Sequence, residues 1–304
     1  MIAALFASLL ITFPAEKQKL PATERTYVIG AADASQRLYL NGVEIAVYRT
    51  GAFLAMAKVS PGENALTLSQ GTNTLVWRFT VAPPPDPAAA PPPPSKPHDP
   101  YADLGIPTNA VFSAKPPRGT PPKDIHVMVD AGHGGIDSGA LTPCGLKEKD
   151  YNLAQALALE KALVSAGFRV TMTRTDDSFP ALYDRPRRAF REKADLFISI
   201  HHNATGCGSN PREARHTVTY ASNEKGLELA RAIQKHVAKV MAPVRDNGAQ
   251  IKSLAVCRNP AVPSCLVEVD FINLPEGEDE SGDPVRQGKV ATAIVLGVLD
   301  WLAD

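Results

Sequence analysis

Fifteen of the chain's 27 prolines fall between Pro83 and Pro122, a stretch of 40 residues. Runs such as Pro83-Pro84-Pro85 and Pro91 to Pro94 fix φ and remove backbone donors, so this stretch can join neither a sheet nor a helix. A semi-rigid polyproline II spacer over 83–122 is the expectation, with an SH3-type ligand as the alternative. The spacer divides the chain into a small domain over about 26–82 and a larger one over 123–304.

Both parts have the composition of folded protein, at 44% hydrophobic and 21% charged residues. Lys+Arg and Asp+Glu both total 32, so the net charge is zero and a basic field for nucleic acid or an anionic membrane is absent. Nucleic acid is therefore not an expected partner. The opening run Ile2 to Phe13 (IAALFASLLITF) carries no charge and is too short to span a bilayer, which needs ~20 residues. It reads as the core of an export leader over 1–22, leaving no stable membrane span once removed. No Lys or Arg precedes the run, and a buried apolar tail is the competing reading. Cys144, Cys207, Cys257 and Cys265 form no C-x-x-C pair, so a zinc knuckle has no support. In an exported chain, Cys257–Cys265 would close the shortest disulfide loop; free buried thiols are the alternative.

Within 26–82, Leu38 and Leu40 lead into Asn41-Gly42, and Val43, Ile45 and Val47 alternate after it. Both turn positions tolerate positive φ, which makes this a hairpin signal. A final strand alternates Leu75, Trp77, Phe79 and Val81. A small β-sandwich follows, and "LNGVEI" with "PGENALTL" resembles bacterial Ig-like modules. It holds no cluster of titratable groups, so a spacer or binding role is expected.

After Lys123 the pattern alternates strands with helices. Apolar strands are expected at Ile125–Asp130, Phe168–Thr173, Asp195–His201, His216–Ala221 and Ser264–Val269. Helical spacing runs through Asp150–Ala166, Ser222–Met241 and Val285–Ala303. The fold class is α/β, a mostly parallel twisted sheet flanked by helices.

Ligands of such a sheet bind beyond the carboxyl ends of its strands. The first strand runs into Asp130-Ala131-Gly132-His133-Gly134-Gly135, a later one delivers His201-His202-Asn203, and the last delivers Glu268. Glu148 opens the helix after the glycine-rich loop. Catalytic zinc takes three His, Asp or Glu ligands and keeps one position open, and His133, Glu148 and His201 meet that requirement. Glu268, in an otherwise apolar strand, is the candidate general base. Each residue alone has a plain structural reading, a lone strand histidine being more often a hydrogen-bonded core residue; the joint placement carries the metal reading. His202 faces away if His201 faces the site. The glycine-rich turn lacks a Walker lysine, and no Gly-x-Ser-x-Gly elbow occurs.

The segments "VDAGHGGIDSGA", "GLKEKDYNL", "RTDD…ALYDRPRRA", "ADLFISIHHNA" and "SCLVEVDFINLPEGEDE" resemble, in order, the motifs of zinc-dependent N-acetylmuramoyl-L-alanine amidases. The likeness covers about 125–303. It implies zinc on His133, Glu148 and His201, Glu268 as base, and peptidoglycan as substrate, cut between the lactyl group of N-acetylmuramic acid and L-alanine. It implies a periplasmic or cell-envelope location, with a cell-wall or divisome partner for the β-module. Asp270 stands where the family has glycine, and Phe190 where it has asparagine. Arg185 matches a family arginine; with Asn203 and Asp270 it is a candidate for supporting the ligands or facing substrate. Some relatives insert an inhibitory helix, but only about forty residues separate His216 from Cys257, so none is expected. The competing readings are a catalytically silent wall-binding or regulatory homologue, and a zinc peptidase acting on cross-bridge peptides.

Overall fold

The computed structural model describes residues 9–85, 104–106 and 115–304. Most of the proline-rich spacer, and residues 1–8 of the expected leader, thus lie outside the described residues.

The first part builds eight strands: β1 (Leu10–Phe13), β2 (Lys19–Leu20), β3 (Arg25–Ala31), β4 (Leu38–Leu40), β5 (Val43–Ile45), β6 (Ala52–Lys58), β7 (Gly62–Gln70) and β8 (Asn73–Val81). They form a three-stranded sheet, β1-β3-β6, and a five-stranded one, β2-β8-β7-β4-β5. Asn41 and Gly42 both take positive φ between β4 and β5, as the hairpin signal requires. Ile11, Val28, Leu38, Phe53, Leu66, Leu68 and Phe79 fill the core between the sheets. Burying such a side chain contributes roughly 1.5–3 kcal/mol before ordering entropy is counted. Two strands lie earlier than the expected start at 26, inside the span read as a leader. Ile11 of β1 is a core residue of this module.

The second part follows the expected alternation: β9 (His126–Ala131), α1 (Glu148–Ser165), β10 (Arg169–Met172), α2 (Asp184–Arg191), β11 (Leu196–Asn203), α3 (Pro211–Ala214), β12 (His216–Ala221), α4 (Glu224–Met241), β13 (Arg245–Ile251), β14 (Ser264–Phe271), α5 (Pro275–Ser281) and α6 (Pro284–Ala303). The sheet order is β10-β9-β11-β14-β12-β13. Its ladders are parallel except β12 against β14, so the sheet is mixed at one edge. β13 was not expected: Arg245-Asp246-Asn247-Gly248 offers no apolar alternation to a sequence reading. Among the described residues between His216 and Cys257, α4 is the one helix.

Strand alternation sends successive side chains to opposite faces. Val127, Val129, Ile198, Ile200 and Val267 meet α1, α4 and α6 through residues such as Leu159, Ile233 and Ile294. Met128, Phe197, Val218 and Leu266 face the other way, under Val256, Cys257, Leu104 and Ile106. The same alternation explains why Cys257 and Cys265 do not bond: Cys265 packs on the helical face and Cys257 on the opposite one. All four cysteines are free. Asn223 caps α4 and Asp283 caps α6 through their side chains. No side chain caps α1, whose first residue, Glu148, is turned to other partners.

Candidate metal centre

β9 and β11 are hydrogen-bonded neighbours, so their carboxyl ends bring the loop after Ala131 beside His201. Backbone crowding there is tight. A Cβ on Gly132 would lie 2.2 Å from His201 Nε2, and one on Gly139 would lie 2.5 Å from Glu148 Oε2. Glycine at these positions is a steric requirement of the site. His133 itself holds a left-handed φ of 61°, an uncommon conformation for a residue with a side chain and one that gathers at functional sites.

Glu148 lies between the two imidazoles. Its Oε1 is 3.2 Å from His133 Nε2 and 3.1 Å from His201 Nδ1. The three ligand atoms lie within 4.8 Å of one another. Metal–nitrogen and metal–oxygen bonds of about 2.0–2.1 Å give a tetrahedral edge of about 3.3 Å, and both separations fit that edge. Imidazole and carboxylate also form the donor set that zinc accepts. The residues therefore fit the group that the sequence implies.

The surrounding chain fixes each ligand. Asp137 Oδ2 meets His133 Nδ1 at 2.8 Å, which leaves Nε2 for the centre. Ala140 N–H donates to Glu148 Oε2 at 2.9 Å, and Asn152 Nδ2 donates to Oε1 at 3.0 Å. Burial opposes the charge of Glu148, but hydrogen bonds from His133 and His201 hold its carboxyl well below the usual range. Burial likewise opposes protonation of His133, yet Glu148 and Asp137 push it up to about 9.

Glu268 stands opposite His201 across the β11–β14 ladder. Burial pushes its carboxyl up to about 7, and its Oε2 is buried without a hydrogen-bond partner. An unpartnered buried oxygen is costly, and a shifted carboxyl beside such a cluster marks Glu268 as a candidate functional group.

Three other candidates resolve differently. Arg185 is buried and uses four of its five donors, on Pro180 O, Asp130 Oδ1, Ala131 O and His133 O. Its bonds to the Ala131 and His133 carbonyls shape the histidine loop. Asp270 is fully buried, with Arg215 at 2.6 Å and Arg286 at 3.0 Å. From His201 to Asn203 the partner residues run from Glu268 to Phe271, so β14 carries one extra residue, and Asp270 joins Arg286 of α6 on the helical side. Asn203 Oδ1 accepts from Ala204 N–H, and its carbonyl accepts from Ile272 N–H. His202 is buried and bonds Asn152 Oδ1 at 2.8 Å, as alternation predicts. Phe190 packs into the apolar cluster of the opposite face. Sequence reasoning missed Asp137, Asn152 and Arg174; the last donates to the carbonyls of Ala131, Gly132 and Lys149. The placement of Asp137 four residues after His133 in a glycine-rich loop was the available signal.

A sheet that gathers two imidazoles and two carboxylates at the carboxyl edge of its central strands has the build of a metal-assisted hydrolase. The family profile described as N-acetylmuramoyl-L-alanine amidase matches residues 127–300, and the chain belongs to that family. Over 172 residues it is 36% identical to the uncharacterized protein YqiI of Bacillus subtilis (strain 168), covering 57% of this chain and 82% of the relative. Over 221 residues it is 32% identical to N-acetylmuramoyl-L-alanine amidase AmiA of Escherichia coli (strain K12), covering 58% and 75%. The solved catalytic domain of CwlV, an N-acetylmuramoyl-L-alanine amidase from Bacillus (Paenibacillus) polymyxa var. colistinus, matches with a TM-score of 0.55 and 32% identity, over 59% of this chain and 98% of that one.

Proposed function

We propose that this chain hydrolyses the amide between N-acetylmuramic acid and L-alanine in peptidoglycan, with zinc held by His133, Glu148 and His201. The observation that carries the reading is Glu148 Oε1 set between His133 Nε2 and His201 Nδ1, with Glu268 across the ladder from His201. When bound, zinc supplies Lewis acidity: it polarises the scissile carbonyl and makes water acidic near pH ~7. The chain's own groups do the rest. Asp137 keeps His133 in one orientation, and Arg185 and Arg174 hold the loop that carries it. Glu268 takes a proton from the attacking water as the new C–O bond forms. It returns that proton to the amide nitrogen as the C–N bond breaks, releasing a lactyl carboxylate and a free L-alanine amine.

The substrate class sets the location at the cell envelope, reached by export. Among the described residues no helix is long and apolar enough to cross a membrane. The β-sandwich is proposed as an Ig-like module, with the cell wall or a division protein as its partner.

Digestion of peptidoglycan followed by mass analysis tests the reading. Free stem peptides are expected; shortened peptides on intact glycan would mean a cross-bridge peptidase. Glu268→Gln is expected to keep its zinc and lose about 10²–10⁴ in rate, which general-base assistance supplies. Unchanged turnover would remove Glu268 from the chemistry.

A further inference from the structure

The proline-rich spacer suggests a module held at a distance, yet the β-module touches the catalytic domain: Arg49 pairs with Asp279 of α5, and two further contacts lie beside the proposed ligands. The first is the hairpin that ends in Glu148. Its rungs are the Leu141–Lys147 bridge, Thr142 N–H to Leu146 O at 2.9 Å, and Glu148 N–H to Ala140 O at 2.9 Å. Thr12 of β1 donates to the Pro143 carbonyl near the hairpin's tip at 2.7 Å. Beside it, Cys144 packs against Ala31 and Ala52 of the module.

The second place is the loop that leaves His201. Tyr27 of β3 donates through its hydroxyl to the Thr205 carbonyl at 3.1 Å, and Phe13 stacks on the Tyr27 ring at 4.4 Å. Arg25 Nε donates to Gly208 O at 3.1 Å, and Cys207 packs against the module's core. Thr205 is tied to Asn273 by hydrogen bonds in both directions, and the neighbouring Ile272 bonds Asn203. β1 and β3 are paired strands of one sheet, so a single rigid surface grips both loops.

From this we infer that the β-module is a positioning element of the metal centre, with Thr12 and Tyr27 holding the loops of Glu148 and His201 at their working separation. The catalytic domain holds these loops partly by itself, through Glu278 on Thr142 and Cys144 and through Asn273 on Thr205, and the module's contacts add to that order. The inference rests on the zinc reading. Coupling of this kind is reciprocal: whatever factor docking adds to metal affinity, bound metal returns to docking.

The test is zinc affinity of the full chain, by competition with a chelator, in Thr12→Val/Tyr27→Phe. Both substitutions keep side-chain shape and remove one hydroxyl donor each. Zinc affinity is expected to fall roughly tenfold, two lost hydrogen bonds setting the scale. Amide exchange in residues 140–148 and 203–208 of the metal-free protein should quicken. Asn64→Ala, which breaks hydrogen bonds inside the module only, should leave zinc affinity as it was. A double variant that binds zinc as tightly as the parent, or an Asn64→Ala that loses as much, overturns the inference. A parent chain that takes up no zinc overturns the metal reading and this inference with it.

Discussion

Glu268 is the residue whose surroundings most directly set an observable. Its carboxyl, pushed up to about 7 by burial, must be unprotonated to accept a proton from water. A cation on the neighbouring ligands lowers that value. Hydrolysis is therefore expected to fall as pH drops, with the acid limb at or below about 7; a pH–rate profile that stays flat down to pH ~4 would contradict the assignment. His133, His201 and Glu268 were legible because chemistry that uses a sheet's edge sits at strand ends, and Glu148 because it opens the helix after the first of them. Their orienting partners were less so. Asp137 and Asn152 act through side-chain geometry that emerges only once the loop has closed on α1. Asp270 misled for a related reason: next-but-one spacing from Glu268 puts both on one face, and an extra residue in β14 sends it to the other.

That β14 irregularity makes a prediction at the level of elements. Asp270 ties α6 to the segment before β12 by pairing Arg286 and Arg215, with Glu280 of α5 completing the group. Asp270→Ala leaves two partly buried guanidiniums with one shared carboxylate. The expected result is destabilisation of about 3 kcal/mol in denaturant unfolding, with zinc content and the acid limb unchanged. A displaced acid limb in that variant would mean that the Asp270 charge acts on Glu268 after all. The main strands and helices were readable because burial on both faces produces continuous apolar strands, and amphipathic helices repeat every three to four residues. β13 was not, since an edge strand needs few apolar side chains. Nor was α5, whose Glu276, Gly277 and Glu278 look like loop; Gly277 is needed there because a Cβ would lie 1.7 Å from Phe271 O.

Across the whole molecule, one domain presents a metal-type constellation and the other lies against the loops that carry it. This docking was invisible in the sequence. It uses backbone carbonyls of Pro143 and Thr205, which no residue type advertises, and the proline-rich stretch argued for separation. The proposed function depends on His133, Glu148 and His201 binding one ion together. Metal analysis of the purified full chain, paired with a wall-digestion assay, addresses this directly. The expected result is one zinc per chain, lost together with hydrolysis on chelation and restored with it on re-addition, and lost in His133→Ala and His201→Ala. Undiminished hydrolysis by chelator-treated, metal-free protein would contradict the account.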